Sequence, residues 1–447
     1  MKKWLSNELG TKFGFVLFLF LLLQIPVNMI ESLISERSYR MEEVRNDIAR
    51  SSSGEQRIMG PFISVLYKET ISGDERDYKV TRQAFILPER FNLTSELNSF
   101  EKYRSIYTAR LYQANTQLTG HFDLSDLEDF DPDSIVDVNL VVSVSDSRGL
   151  IDIGELKLNK QSISVEPGTG LKQLAQGFHK TLPFHLLDLT KPLQFDFNFM
   201  LQGMGQLQVT PMGKSTRVEL SSAWPHPSFI GDYLPIASDI SESGFKASWA
   251  TNNFSSNISQ LFSLCMSDTS QCHELDGRQM GVSLIDPVDH YLKSHRAVNY
   301  SLLVVTLIFA SFFLLELFQA RPIHPVQYGF VGLALALFYL LLISLSEHIG
   351  FNWAYLVSAL SSTGLLSVYV AGMLSNNKHG SLFGASLLML YGLLFGLLQA
   401  ESYALLMGTL LCFAVLSLVM VLTRNVNWYE RRAVAQKANK ESDDEQS

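Results

Sequence analysis

Cysteine is scarce in this chain, with three in 447 residues, which excludes a disulfide-dense scaffold. Charge is scarce as well. Only 18% of residues are Asp, Glu, Lys or Arg, against roughly 25% in ordinary soluble domains. With 47% hydrophobic residues and a mean hydropathy of +0.12, the chain is neither disordered nor an ordinary soluble enzyme. A basic stripe with interleaved aromatics is missing, which sets nucleic acid aside as a partner. Catalytic signatures are missing too: the chain has no Gly-x-Ser-x-Gly elbow, no phosphate-binding glycine loop and no Cys-x-x-Cys.

The apolar residues that are present crowd into positions 13–30 and 301–423. Positions 33–297 read as an ordinary globular composition and are acidic, with 25 Lys and Arg against 34 Asp and Glu, a balance of −9. The first apolar run follows Lys2, Lys3 and Lys12 and reaches about Ile30. No small-x-small cleavage pattern follows it, so it is read as an uncleaved anchor rather than a signal peptide. Five further runs, about 300–319, 326–346, 353–375, 381–399 and 402–423, are each long enough to span a bilayer.

Loop charge orients these six spans. Cations sit at the amino terminus, at Arg321, at Lys378 and at Arg424, Arg431, Arg432, Lys437 and Lys440. The alternate short loops carry Glu347, His348 and Glu401 and no Lys or Arg. The pattern predicts cytoplasmic segments 1–12 and 424–447, with the large insertion on the outer face of the membrane. The fold class expected is therefore a membrane α+β protein: six transmembrane helices with an exported antiparallel β-sandwich-like domain between the first two.

The insertion opens and closes on helical stems. Ile34, Arg37, Met41, Val44 and Ile48 recur at helical spacing, giving a stem over 31–57 that Ser51-Ser52-Ser53-Gly54 stops. The seam has two possible covers, a second copy of the chain or its own domain. Asp286-Pro287 looks like a helix start, giving an exit stem over 285–299. Within 58–284 the period changes to two. Leu193–Leu201 alternates, Gly203-Met204-Gly205 turns, and Gln206–Thr210 returns; Val138–Val144, Leu150–Leu158, Thr216–Leu220, Phe62–Tyr67, Ala84–Leu87 and Tyr107–Tyr112 are also strand-like.

Candidate sites are few. Cys265 and Cys272, seven apart in an oxidising compartment, are a disulfide candidate, with free thiols the alternative. His273-Glu274 starts like a zinc helix but has Gly277 where the second histidine belongs, and His179 and His185 straddle Pro183. The acidic run from Asp123 to Asp133 lacks the glycine and closing Glu of a calcium loop. No metal site and no cofactor are expected. In the spans Glu316 lies five residues before Arg321, within reach of pairing or snorkelling. Gln24 and Asn28 in the first span, and Ser358, Ser361, Ser362, Thr363 and Ser367 in the fourth, suit helix packing better than a pore. Trp224-Pro225-His226-Pro227-Ser228-Phe229 reads as a rigid non-ladder loop, either a structural corner or a partner-binding surface.

These segments also carry a family likeness. Ile25-Pro26 with Ile30–Arg37, Asp47–Ser52, Gly60-Pro61, Gly213-Lys214, Leu220-Ser221-Ser222 and above all Trp224–Phe229 with Gly231 and Leu234-Pro235 resemble the CreD family of bacterial inner-membrane proteins. The resemblance implies a role in envelope integrity, tolerance to certain colicins and regulation by the CreB–CreC two-component system. It implies no enzymatic activity, cofactor or catalytic residue. The expected function is thus a non-enzymatic inner-membrane protein whose exported domain contacts an envelope protein or lipid. The alternative is a transporter or lipid-handling protein using the bundle over 300–423.

Overall fold

The computed structural model describes residues 8–72, 78–284, 290–319, 324–374, 377–399 and 404–424. The chain divides into two compact units, Met1–Arg37 with Asp289–Ser447, and Ser38–Val288. Helix α1 (Glu8–Ser51) runs from the first into the second. Anchor and stem are therefore one helix of 44 residues, carrying Pro26 in its interior.

The β unit holds strands β1 (Gln56–Ile71), β2 (Tyr78–Ile86), β3 (Arg90–Arg104), β4 (Tyr107–Phe122), β5 (Ile135–Val144), β6 (Leu150–Ile153), β7 (Leu156–Leu158), β8 (Gln161–Ile163) and β9 (Glu166–Pro167). It continues with β10 (Gly177–Thr181), β11 (Leu193–Met204), β12 (Gln206–Thr210), β13 (Ser215–Ser222), β14 (Pro227–Gly231), β15 (Ala237–Ser241), β16 (Gly244–Asn252) and β17 (Met280–Leu284). Helices α2 (Asn253–Ser256), α3 (Ile258–Ser267) and α4 (Cys272–Gly277) precede β17.

The strands form two sheets. One runs β14-β17-β12-β1-β5-β10-β9 with β2 against β1; the other runs β15-β16-β13-β3-β4-β11-β7-β8 with β6 against β11. In β3, β11 and β13 buried and open residues alternate, as a half-buried strand requires. Both sheets send residues into one core, Ile58, Val65, Val142 and Phe178 from the first and Phe91, Leu118, Phe197 and Trp249 from the second. Phe178 meets Phe197 with ring centroids 4.8 Å apart.

Three sequence expectations are corrected. The sheets are not wholly antiparallel, since β1 pairs β12 in parallel and β13 pairs β3 in parallel. The 193–210 segment is not a hairpin: Gly205, at φ +72°, turns the chain out of the second sheet, and β12 joins β1 and β17 in the first. Leu150–Leu158 is two strands, β6 and β7, broken near Gly154, whose added Cβ would stand 2.7 Å from the Asn198 carbonyl.

Helices α3 and α4 cover the first sheet. Ile258, Leu261, Phe262 and Leu275 pack with Met59, Phe62 and Val141 in a second core, so β1 is buried on both faces. This explains why Phe62–Tyr67 reads as an almost unbroken apolar run.

In the membrane unit α1 is joined by α5 (His290–Asn299), α6 (Ser301–Gln319), α7 (Pro325–Ile349), α8 (Phe351–Leu374), α9 (Asn377–Gln399) and α10 (Ala404–Thr423). Among the described residues five segments are long and apolar enough to cross a membrane: Gly14–Ser51, Tyr291–Phe312, Val326–Ile349, Phe351–Leu374 and Asn377–Gln399. The sixth expected span, 402–423, corresponds to α10, a helix of 20 residues without an Asp, Glu, Lys or Arg, in which several side chains lie outside the described residues. Capping fixes the start of α7. Pro325 takes the first helical position, His324 Nδ1 accepts from the Val326 N–H, and the Gln327 side chain accepts from the His324 N–H. The seam residue Ile34 is buried in this unit's core beside Val27 and Ile30, while Ile48 packs on Ala109 and Leu111 in the β unit's core. Between these two buried ends of the seam, Arg37, Met41 and Val44 are half-buried. The expected cap at Asp286-Pro287 and the tail beyond Arg424 lie outside the described residues.

Candidate functional site

A densely bonded polar cluster lies where α1 gives way to β1. Gln56 is buried, and its Nε2 donates to the carbonyls of Asp146 (2.9 Å) and Gln202 (3.0 Å) while its Oε1 accepts from the Asp146 N–H (3.2 Å). Glycine makes the space: a Cβ on Gly149 would come within 2.4 Å of Gln56 Nε2, and one on Gly203 within 2.8 Å of its Cγ. Ser53 Oγ donates to the Gln202 carbonyl at 2.7 Å. Asp146 Oδ2 accepts from the Gly54 N–H at 3.2 Å, and Arg148 binds both carboxylate oxygens at 2.9 and 2.6 Å. Arg148 also donates to the Arg50 carbonyl, in the last turn of α1. Ser145–Gly149 joins the strand-like runs Val138–Val144 and Leu150–Leu158; its role as a clamp on α1 was not legible, because no local pattern announces a partner about 90 residues away.

Arg148's hydrogen bonds, with those of the Gly54 and Arg148 N–H groups, hold the Asp146 carboxyl below the ordinary range against the opposing effect of burial. A depressed folded-state pKa stabilises the fold above the unfolded value of about 3.9, and that contribution is lost as pH falls through the folded value. Acid unfolding should therefore steepen below about pH 4 in the native protein, and Asp146→Asn should remove that component of the slope. Far-UV circular dichroism along a pH titration of both proteins checks it.

The sequence candidates separate clearly. Cys265 and Cys272 are joined in a disulfide that ties α3 to α4. From the seven-residue separation, Cys272→Ser should lose roughly 2 kcal/mol of β-unit stability, read by denaturant titration. In the Trp224–Phe229 segment, Pro227–Gly231 is strand β14, antiparallel to β17, so the segment is not a non-ladder loop. Proline is tolerated there because it begins an edge strand. Trp224 packs on the core with the Arg110 guanidinium 3.5 Å from its ring centroid, and Arg110 in turn bonds Glu101 at 2.5 Å. Phe229 lies edge-on to Trp249 at 5.7 Å. Both aromatic rings are thus engaged in packing; His226 is exposed, with its ring edge-on to that of Trp224 at 5.6 Å.

Two of the candidate histidines and two of the acids are occupied locally. His179 Nδ1 is 2.7 Å from the Gly168 carbonyl and His273 Nδ1 is 3.1 Å from that of Ser270. Asp123 accepts from the Ser125 N–H and Asp131 from that of Asp133. Among the described residues no group of three His, Cys, Asp or Glu could hold a metal ion.

The membrane unit has its own polar contacts. Glu347 accepts from the Tyr291 hydroxyl at 3.0 Å and lies 3.9 Å from Arg37, which accounts for the arginine that interrupts the α1 seam. Of the hydroxyl residues expected to pack helices, Ser358, Ser362 and Thr363 are buried, and Ser362 meets the Tyr391 hydroxyl at 3.2 Å. A Cβ on Gly384 would reach 2.1 Å from Ser367 Oγ, so α8 and α9 approach closely through small residues. Between these two helices lies an apolar recess of about 390 Å³ lined by Trp353, Tyr355, Leu356, Leu388, Tyr391 and Phe395 among others. The side chains of Glu316 and Arg321 lie outside the described residues.

The family model described as inner membrane protein CreD matches residues 8–429. Inner membrane protein CreD of Escherichia coli (strain K12) is 36% identical over 454 residues, covering 100% of this chain and 99% of that protein. Among solved structures, an M1 zinc metallopeptidase from Deinococcus radiodurans aligns over 37% of this chain and 39% of its own, at 10% identity and a TM-score of 0.21. A likeness that slight carries no argument about this chain.

Proposed function

The chain belongs to the family of inner membrane protein CreD, and on that premise we propose that it supports envelope integrity without catalysing a reaction. It crosses the membrane six times with both termini in the cytoplasm, and its β unit, a sandwich of two sheets, stands in the periplasm and engages an envelope component. The observation that supports this reading best is the placement of the β unit. Ser38–Val288 is inserted between the first apolar helix and all the others, and alternation over six spans assigns the cationic short loops to one side and the insertion to the other. Single cysteines introduced at Asp239 and at Lys437 test the topology. A membrane-impermeant maleimide should label the first in intact cells and the second only after permeabilisation. The reverse pattern would defeat the reading.

The apolar recess between α8 and α9 favours a second reading, in which the bundle handles lipid or transports a solute. Replacing 301–423 with one unrelated span separates the two. Envelope protection survives the exchange if the β unit carries the function and is lost if the bundle does.

A further inference from the structure

The two sheets of the β unit end unevenly on the β14 side. Strand β14 is the last of the first sheet, and its Phe229 ring lies 6.2 Å from Phe245 and 5.7 Å from Trp249, both on β16. Strand β14 therefore stands opposite β16. The second sheet continues one strand further, to β15, and among the described residues no strand of the first sheet lies beneath it.

This leaves β15 bare. In its register with β16, Ile240 lies opposite Phe245 and Ser238 opposite Ala247, and both of those β16 residues are buried in the core between the sheets. Ser238 and Ile240 thus face inward, yet all five residues of β15 are exposed, Ile240 by 51%. Ile236, in the link that enters β15, is 68% exposed. An isoleucine on the inner face of a sandwich is ordinarily covered by the facing sheet. Here the covering strand is missing.

The edge below it is open as well. The Leu284 N–H donates to the Gly205 carbonyl at 2.8 Å, so in the alternating antiparallel ladder Val282 and Leu284 bond towards β12 while Gly281 and Ser283 turn to β14. Their partners on β14 are Ile230 and Ser228. Phe229, between these two, directs its N–H and C=O away from the sheet, and neither group meets a partner among the described residues. The same register turns Pro227, which has no N–H, to the open side, where proline is tolerated.

We propose that an extended segment of another polypeptide adds to β14 as the next strand of the first sheet, antiparallel to it, and lays an apolar side chain against Ile240. The proposal rests on the reading that the β unit engages an envelope component, and it identifies that component as protein. A strand about 4.8 Å beyond β14 falls beneath β15 at the spacing of about 10 Å between facing sheets, so one occupant satisfies both the free backbone and the bare isoleucine. The residue opposite Phe229 exchanges both hydrogen bonds with it and points its side chain inward, as Phe229 does. A lipid chain would cover Ile240 and leave the Phe229 backbone unpaired. A second copy offering its own β14 in antiparallel fashion is excluded by shape, because the two-fold axis between the paired strands would carry that copy's β15 into the space of β16.

Titration of the full-length protein in nanodiscs tests the proposal, with a short peptide alternating threonine and valine between terminal lysines as probe. One control is the same peptide N-methylated at its central residues, which cannot make ladder bonds, and the other has threonine in place of valine and no apolar face. The probe should bind, and each control should bind about tenfold more weakly. Ile240→Lys should weaken binding of the probe about tenfold, whereas Asp239→Lys, on the other face of β15, should leave it unchanged. Both positions are exposed, and unchanged circular dichroism would show that the fold is kept. No binding, equal binding of either control, or equal losses from the two variants each overturns the proposal. So does a dimer in the nanodisc that Ile240→Lys dissociates, which would assign the bare strand to a second copy. Failure here with a cysteine at Asp239 labelled from outside leaves the export reading standing. Binding of the probe with that cysteine labelled only after permeabilisation overturns the export reading and leaves the strand site in place.

Discussion

Gln56→Leu is expected to destabilise the β unit by about 3 kcal/mol although it keeps the size of the side chain. Leucine removes both donors and the acceptor. The Asp146 carbonyl still accepts from the Gly149 N–H, and the Gln202 carbonyl from Ser53 Oγ, so neither is stranded. The Asp146 N–H is different. Its bond to Gln56 Oε1 is replaced by nothing, and a buried unpaired donor costs about 1–3 kcal/mol in addition to the bonds lost. Gln56→Ala adds a cavity beside Gly149 and Gly203 and should cost about 4 kcal/mol. Gln56→Glu keeps the acceptor for Asp146 but aims a second carboxylate oxygen at two carbonyls, so it should do no better than leucine.

The readout should be local, because the clamp joins the end of α1 to the β5–β6 turn and to β11. Hydrogen exchange at the amides of β1 and β11 should accelerate in Gln56→Leu, and those in α8 and α9 should keep their native rates. Uniform acceleration across both units would contradict the clamp. So would no acceleration anywhere.

The contrast with what was legible in the sequence has a physical basis. Membrane spans are visible because lipid imposes a long apolar run on the chain itself, and α7, α8 and α9 fall where those runs lie. Strand β11 is visible because one open and one buried face impose strict alternation. Residues 258–277 were not recognised as helical, since α3 and α4 are short and α3 is apolar on the side that covers β1. Parallel pairing of β1 with β12 depends on contacts about 150 residues apart, and nothing local encodes them. The same holds for the clamp, whose residues come from the end of α1, the start of β1, the β5–β6 turn and β11. The Trp224 motif was conspicuous, yet its partner Arg110 was not, because that pairing is decided by tertiary packing.

Trp224→Ala is expected to cost about 3 kcal/mol, at the lower end for a tryptophan because the ring is only partly buried. Part of that loss is packing on the core and part is the stacked guanidinium. A double-mutant cycle with Arg110→Met separates them, since methionine keeps an apolar stem and removes the charge. The Arg110 side chain is 11% exposed, so its attraction to the ring is screened less than at an open surface, and the coupling should be about 1–2 kcal/mol. Arg110→Met also takes one partner from Glu101, which is 36% exposed and keeps the Tyr103 hydroxyl as a donor at 2.7 Å. The single arginine variant should therefore cost less than the tryptophan variant. If the coupling is near zero, the tryptophan is a core plug and the arginine beside it is incidental. A coupling of the expected size makes the pair one structural unit, which fixes the entry of β14 into the first sheet and leaves His226 as the exposed ring of the motif.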